Sequence, residues 1–174
     1  MRQGLAASGL KQIADASGAP IGSLYHFFPG GKEELAAATL RASGAAYQAL
    51  VESVFDAAPD VVSGLHACFA SAATALEASD YADACPIATV ALEVASSDEN
   101  LRIVTQEIFA GWTAAAKQRL REAGIAVERA DELATTLIAA LEGGFLLSRA
   151  AKSTAPMHAI GKVMTELVKA EVET

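Results

Sequence analysis

Cysteine is scarce in this chain. Cys68 and Cys85 are the only two among 174 residues, too few for a disulfide framework and without metal-ligand spacing. Buried, reduced thiols are the expectation, with no metal and no cofactor. The three histidines, His26, His66 and His158, are widely separated and form no paired-ligand or HExxH arrangement. Catalytic frames are absent as well. Gly22-Ser23 lies outside a GxSxG elbow, Gly30-Gly31-Lys32 lacks P-loop spacing, and the acids are read as scattered over solvated helix faces. No enzyme is expected. No apolar run approaches the ~18 uninterrupted residues of a membrane span. The opening "MRQGLAASGLKQ" has no apolar stretch long enough for a secretory signal, so the expected location is cytoplasmic, with no membrane partner.

What is present is apolar and helix-favouring. Hydrophobic residues make up 52% and charged residues 20%, the balance of a globular chain long enough for one domain, or a small and a larger one. Net charge is −8, but it is unevenly spread. Residues 1–41 hold Arg2, Lys11, Lys32 and Arg41 against Asp15, Glu33 and Glu34, a net +1 that leaves −9 on the rest. A near-neutral head on an acidic body lets a polyanion approach one end.

Ala, Leu and Glu dominate, β-branched residues never alternate over a long run, and Gly/Pro/Ser clusters cut the chain into segments. The cuts predict helices over 8–17, 20–27, 32–57, 60–78, 86–95, 98–123, 127–151 and 155–171, an all-α fold. Asp98 is placed to cap one helix, and Pro20 and Pro86 suit first-turn positions. Residues 127–171 carry two apolar stripes, Leu133, Leu137, Ile138, Leu141, Phe145 and Leu146, then Ile160, Val163, Met164, Leu167 and Val168. Gly143-Gly144 inside the first marks a close approach, by a neighbouring helix or by a second copy of the chain. Two such helices can pair with their copies in a homodimer.

The stretch "SGLKQIADASGAPIGSLYHFFPGGKEEL" concentrates unusual residues. Leu10, Ile13 and Ala14 share one helical face, Gly18 falls where a left-handed residue ends the helix, and Pro20 opens a second helix with Ile21, Leu24 and Phe28 inward. Two short helices across a glycine-containing turn match a helix-turn-helix, whose second helix enters a DNA major groove. Ser23, Tyr25 and His26 then offer hydroxyl and imidazole donors to phosphates, with Lys11 beside them. Lys32 lies at the start of the next helix, where free amides already favour an anion. Each has an ordinary alternative: packing for Tyr25, a surface histidine, a solvated capping lysine. Base contact falls to Ala19–Ser23, which offer few bidentate groups.

At "LKQIADASGAPIGSLYHFFPGGKEEL" the chain resembles the DNA-binding head of the TetR family, and "GAPIGSLYHFFPGGKEEL" with "ACPIATVALE" in the body is similar to its LmrA/YxaF-like branch. The resemblance implies a helix-turn-helix domain over residues 1–41 and a helical ligand-binding and dimerisation domain over 42–174. The partners implied are operator DNA, a small apolar ligand and a second copy joined through residues about 127–171. The expected function is a ligand-responsive repressor; the alternative is a helical ligand- or partner-binding module that does not engage DNA. Two departures matter. The family head has a further helix before the motif, so residues preceding Met1 are expected in the natural chain; otherwise the head is compromised. The position of Ile21 is usually basic in this branch, so one phosphate contact is lost and the salt dependence of binding should be lower.

Candidate ligand contacts in the body are Phe55, His66, Phe69, Cys85, Trp112 and Phe145. These are large or polarisable groups, any of which could equally be core. His66 would orient a ligand in an apolar cavity, and Trp112 would line that cavity or the dimer seam.

Overall fold

The computed structural model describes residues 9–173. Among them are eight helices and no strand: α1 (Leu10–Ser17), α2 (Ile21–Phe27), α3 (Gly31–Asp56), α4 (Val61–Ala78), α5 (Pro86–Val94), α6 (Glu99–Glu122), α7 (Val127–Ala151) and α8 (Ala155–Val172). Ser8, where the sequence places the first helix start, lies outside the described residues.

The boundaries have local causes. Gly18 ends α1 at φ 68°, and its amide together with that of Ala19 closes on Ala14 and Asp15 carbonyls. A side chain there would meet the left-handed penalty that glycine avoids. Pro20 stands one position before α2 and its carbonyl accepts from the Ser23 amide at 2.9 Å. Asp60 caps α4 through the Ser63 amide at 2.7 Å, and Asp98 caps α6 through the Leu101 amide at 3.0 Å. At α3 the Glu34 carboxylate reaches back to the Gly30 amide at 2.7 Å.

The helices fall into two compact units, and the expected boundary at residue 41 lies inside the unbroken helix α3. The first unit combines residues up to Ala46 with Pro86–Ile108. Its α1 and α2 pack on each other, and its buried hydrophobic residues are Ala14, Ala36, Leu40, Ile87, Val90, Val94, Leu101 and Val104. A Cβ on Gly44 of α3 would lie 2.7 Å from Ile108 Cγ2, so α3 and α6 come close at that glycine.

The second unit, Tyr47–Cys85 with Phe109–Thr174, is built on α4, α7 and α8, which pack pairwise. Leu65, Phe69, Ala73 and Leu76 of α4 meet Leu133, Ala134 and Leu137 of α7 and Met157, Met164 and Val168 of α8 in one buried cluster. The 3.6-residue period puts these on one side of each helix. By length and composition α4 and α7 could each cross a membrane. Here each presents its buried face to this cluster. The glycine pair divides in role: a Cβ on Gly144 would press on Met157 Sδ at 2.8 Å, whereas one on Gly143 meets nothing within 4 Å. The approach at Gly144 is by a side chain of α8 and not by a backbone. Ser148, fully buried, accepts from the Met157 amide at 3.1 Å and so ties the α7–α8 turn.

A tight seam lies at Gly161 of α8, where an added Cβ would sit 2.6 Å from Phe69 Cβ. That atom is fixed to the backbone and cannot swing away. Gly161→Ala is therefore expected to cost about 1–3 kcal/mol by overpacking. Gly111→Ala in α6, whose new Cβ meets only Gln48 Oε1 at 3.8 Å, should be neutral or stabilising by up to about 1 kcal/mol. Thermal unfolding of the two variants checks the contrast; equal melting temperatures would contradict the packing described.

Candidate functional site

Two places concentrate functional groups. The first is α2. It is seven residues long and none of them is buried. Tyr25 is 55% exposed and Phe27 70%, and His26 is exposed with its ring edge-on to Phe27 at 5.1 Å between centroids. Leu24 and Phe28 are half-buried and hold the helix down, and Ser23 is half-buried. Ile21, expected inward, is 43% exposed. Its helical angle falls between those of Leu24 and Tyr25, and the helix ends before Phe28 can share its face. Lys11 is exposed on α1, and Lys32 is half-buried in the first turn of α3. Phe27 went unmarked in the sequence because an aromatic beside Phe28 reads as core; only the end of the helix between them separates their fates.

The second place is a cavity of about 210 Å³ inside the second unit, walled by α3, α4, α6, α7 and the α4–α5 loop. Five of the six residues proposed for a ligand line it: Phe55, Phe69, Cys85, Trp112 and Phe145. His66 does not. It is exposed, one step and so about 100° round α4 from buried Leu65, while Leu65, Cys68, Phe69 and Ala72 hold the inward face. Trp112 packs on Tyr47 at 6.4 Å and edge-on to Phe109 at 5.5 Å, so it belongs to the cavity wall. An open groove of about 720 Å³ at the ends of α6 and α8 carries Asp60, Arg119, Glu122, Lys169 and Glu173. Charges of both signs over an open surface suit water better than an apolar guest.

Polar groups in the cavity are few. Gln48 donates to Glu52 at 2.9 Å. Arg119 is held by the Asp56 carboxylate at 2.7 Å and lies over the Phe55 ring at 5.1 Å. Glu142 corrects the reading that acids lie only on solvated faces. It sits in the wall between Leu141 and Phe145, burial pushes its carboxyl up, and the Cys85 thiol donating to it opposes that shift. Tyr47 is also pushed up, first by burial and then by Cys85, Asp83 and Glu142. The visible signal for Glu142 was an acid four residues after Ile138 within an apolar stripe.

An exposed short helix braced by a second, with a lined cavity in a separate all-helical unit, defines a helix-turn-helix regulator. The comparisons agree. Residues 1–39 match the model of the bacterial regulatory proteins of the tetR family, and residues 61–163 that of the transcriptional regulator LmrA/YxaF-like C-terminal domain. The chain is 36% identical to the HTH-type transcriptional regulator YxaF of Bacillus subtilis (strain 168), over 96% of this chain and 87% of that protein. It is 32% identical to LmrA of the same organism, over 96% and 89%. The structure of the regulatory protein TetR from Rhodobacter sphaeroides shares the fold at a TM-score of 0.83 and 20% identity, covering 95% of this chain and 90% of that one. The chain belongs to the TetR family, in its LmrA/YxaF-like branch, and is a DNA-binding transcriptional regulator.

The Cys68 thiol, also in the cavity wall, is pushed up to about 11 by burial, with Arg119 opposing. Two units above its ordinary 9.0, it holds roughly a hundredth of the usual thiolate at neutral pH. Iodoacetamide should label Cys68 slowly at pH 7.5, and the rate should climb about tenfold per pH unit up to pH 10. Mass spectrometry of the Cys68 peptide reads this; rapid labelling at neutral pH would contradict the burial.

Proposed function

We propose that this regulator is a cytoplasmic repressor that binds operator DNA as a homodimer and is released by a small apolar ligand. The observation that supports it best is the exposure of Tyr25 and His26 on a helix held by Leu24, Phe28 and the Gly18 turn. Such a helix has no core of its own to serve, and its donors suit phosphate oxygens. In this reading Ser23, Tyr25 and His26 contact the backbone from α2, Lys11 from α1 and Lys32 from the start of α3, where the helix dipole favours an anion. The cavity residues Phe55, Phe69, Cys85, Trp112 and Phe145 receive the ligand. Dimerisation runs through α7 and α8, whose Leu146, Leu147 and Val163 are exposed apolar groups.

Release requires that the ligand favour one dimer geometry over another. Two recognition helices reach successive major-groove faces only about 34–36 Å apart. A differential affinity of about 1–3 kcal/mol between geometries would change operator affinity five- to 150-fold, and the operator would change ligand affinity equally. Helices α3 and α6 are the natural carriers, since each supplies residues to both compact units without a break.

The test is binding to DNA upstream of the protein's own gene, by mobility shift over a range of salt concentrations. Affinity should fall linearly on logarithmic axes as salt rises. Tyr25→Phe and Lys32→Ala should weaken binding on every sequence alike, because phosphates carry no code. Altered sequence preference with overall affinity intact would refute these roles. A monomer at micromolar concentration by analytical ultracentrifugation would refute the half-site geometry.

A further inference from the structure

We propose that the cavity of the second unit takes a ligand of one or two aromatic rings bearing a single positive charge, with the Glu142 carboxylate as its counter-ion and Tyr47 and Trp112 against its rings. The inference rests on the reading of this cavity as the ligand site, and narrows the small apolar ligand proposed for it to an aromatic one that carries a single charge. Size sets the first limit. An apolar cavity of about 150 Å³ holds benzene, so about 210 Å³ accommodates one or two rings and little more.

Charge sets the second. Each ionisable group facing the cavity can be accounted for. Glu52 of α3 accepts from Gln48, and Arg119 of α6 is committed to Asp56 and to the Phe55 face. Cys68 of α4 stays neutral, Tyr47 of α3 is raised, and Asp83 and Cys85 of the α4–α5 loop add no cation. Glu142 of α7 is left with the Cys85 thiol, a weak donor, and no cation contributes to its titration. A carboxylate in apolar surroundings is costly unless paired, and a ligand cation supplies the missing charge. The rings add to this. Aromatic faces attract a cation, and the pair Tyr47 and Trp112 stands in the same wall. An entry route exists at Tyr47, Leu50 and Val51, which line the cavity and are exposed.

The sign of the pH effect follows. Cation binding needs the ionised carboxylate, and burial raises the Glu142 carboxyl above its ordinary 4.5. Below that raised value a proton must leave before the cation can pair, so affinity falls as pH drops.

Three ligands of one shape separate the possibilities: 1-naphthylmethylammonium, 1-naphthylmethanol and 1-naphthoate, titrated calorimetrically into the full chain. The ammonium should bind at least about tenfold tighter than the alcohol, and the carboxylate weakest. Glu142→Gln should bring the ammonium down to the alcohol's affinity and leave the alcohol unchanged. In the unsubstituted protein, ammonium binding should weaken as pH is lowered from neutrality toward 4.5 while alcohol binding stays flat, a measurement that needs no variant to fold. Equal binding of the ammonium and the alcohol, preference for the carboxylate, or no binding of any of the three overturns the proposal. Operator release is scored separately. Selective ammonium binding without release supports the proposal and refutes ligand-controlled repression; release by the neutral compound alone does the reverse.

Discussion

The contact between Phe69 and Gly161 governs the body of this molecule. Because Gly161 has no side chain, α8 can lie directly on the base of the Phe69 side chain, and α4 and α8 close on each other there. Phe69 belongs both to the buried cluster and to the cavity wall. With Leu65 and Leu137, which also belong to both, it parts a filled core from a space left open. Packing on one side is dense, with Met157, Met164 and Val168 filling in against Leu133 and Leu137. On the other side the wall residues of α3 and α6 stand back. A protein interior is ordinarily packed to crystal-like density, so a void bounded by such a seam persists only because the surrounding helices are rigidly placed.

The unit that holds α1 and α2 depends on burial of another kind. α1 has eight residues and α2 seven, lengths at which an isolated helix is marginal in water. Their stability must come from tertiary burial, yet α2 buries nothing fully. The unit that contains them is completed by Pro86–Ile108, a segment distant in sequence that brings Ile87, Val90, Val94, Leu101 and Val104. Polar ties join the same segments: Asn100 donates to Glu33 at 2.7 Å and Arg41 to Glu107 at 3.3 Å. These pairs are exposed and contribute little energy, so the apolar side chains carry the association. Helix α2 can remain bare on its outer face because the rest of its unit is stabilised by these buried side chains.

The helices were legible in the sequence because their ends are chemically marked. Gly18, Asp60, Pro86 and Asp98 each stop or start a helix by a local mechanism that needs no knowledge of the fold. Grouping of segments was not legible. A cut after residue 41 follows composition, but α3 passes through it, and no local signal ties residues 86–108 to the head. The cavity was legible by residue type and illegible by phase. Large apolar residues such as Phe55, Phe69 and Phe145 line cavities and cores alike, so type alone found them. His66 was attractive for its chemistry, and a single 100° step round α4 put it outside. Glu142 was overlooked for the opposite reason. Acids are normally solvated, and only the orientation of α7 turns this one toward the Cys85 thiol.

The place of Glu142 in an apolar wall carries information. Consistency between local pattern and global fold is the rule in natural chains, and exceptions gather where function is at stake. A leucine at position 142 would continue the stripe of Ile138, Leu141 and Phe145 and bury apolar surface at no electrostatic cost. A carboxylate there works against folding. Its raised folded titration means stability declines as pH rises through it, since the unfolded chain ionises more readily. The cost is therefore present at neutral pH and would be relieved by a cation bound beside it, which stabilises the folded state increasingly as its concentration exceeds its Kd. The same residue that weakens the empty body thus makes its stability depend on what fills it, and that dependence is the property a ligand-gated regulator requires.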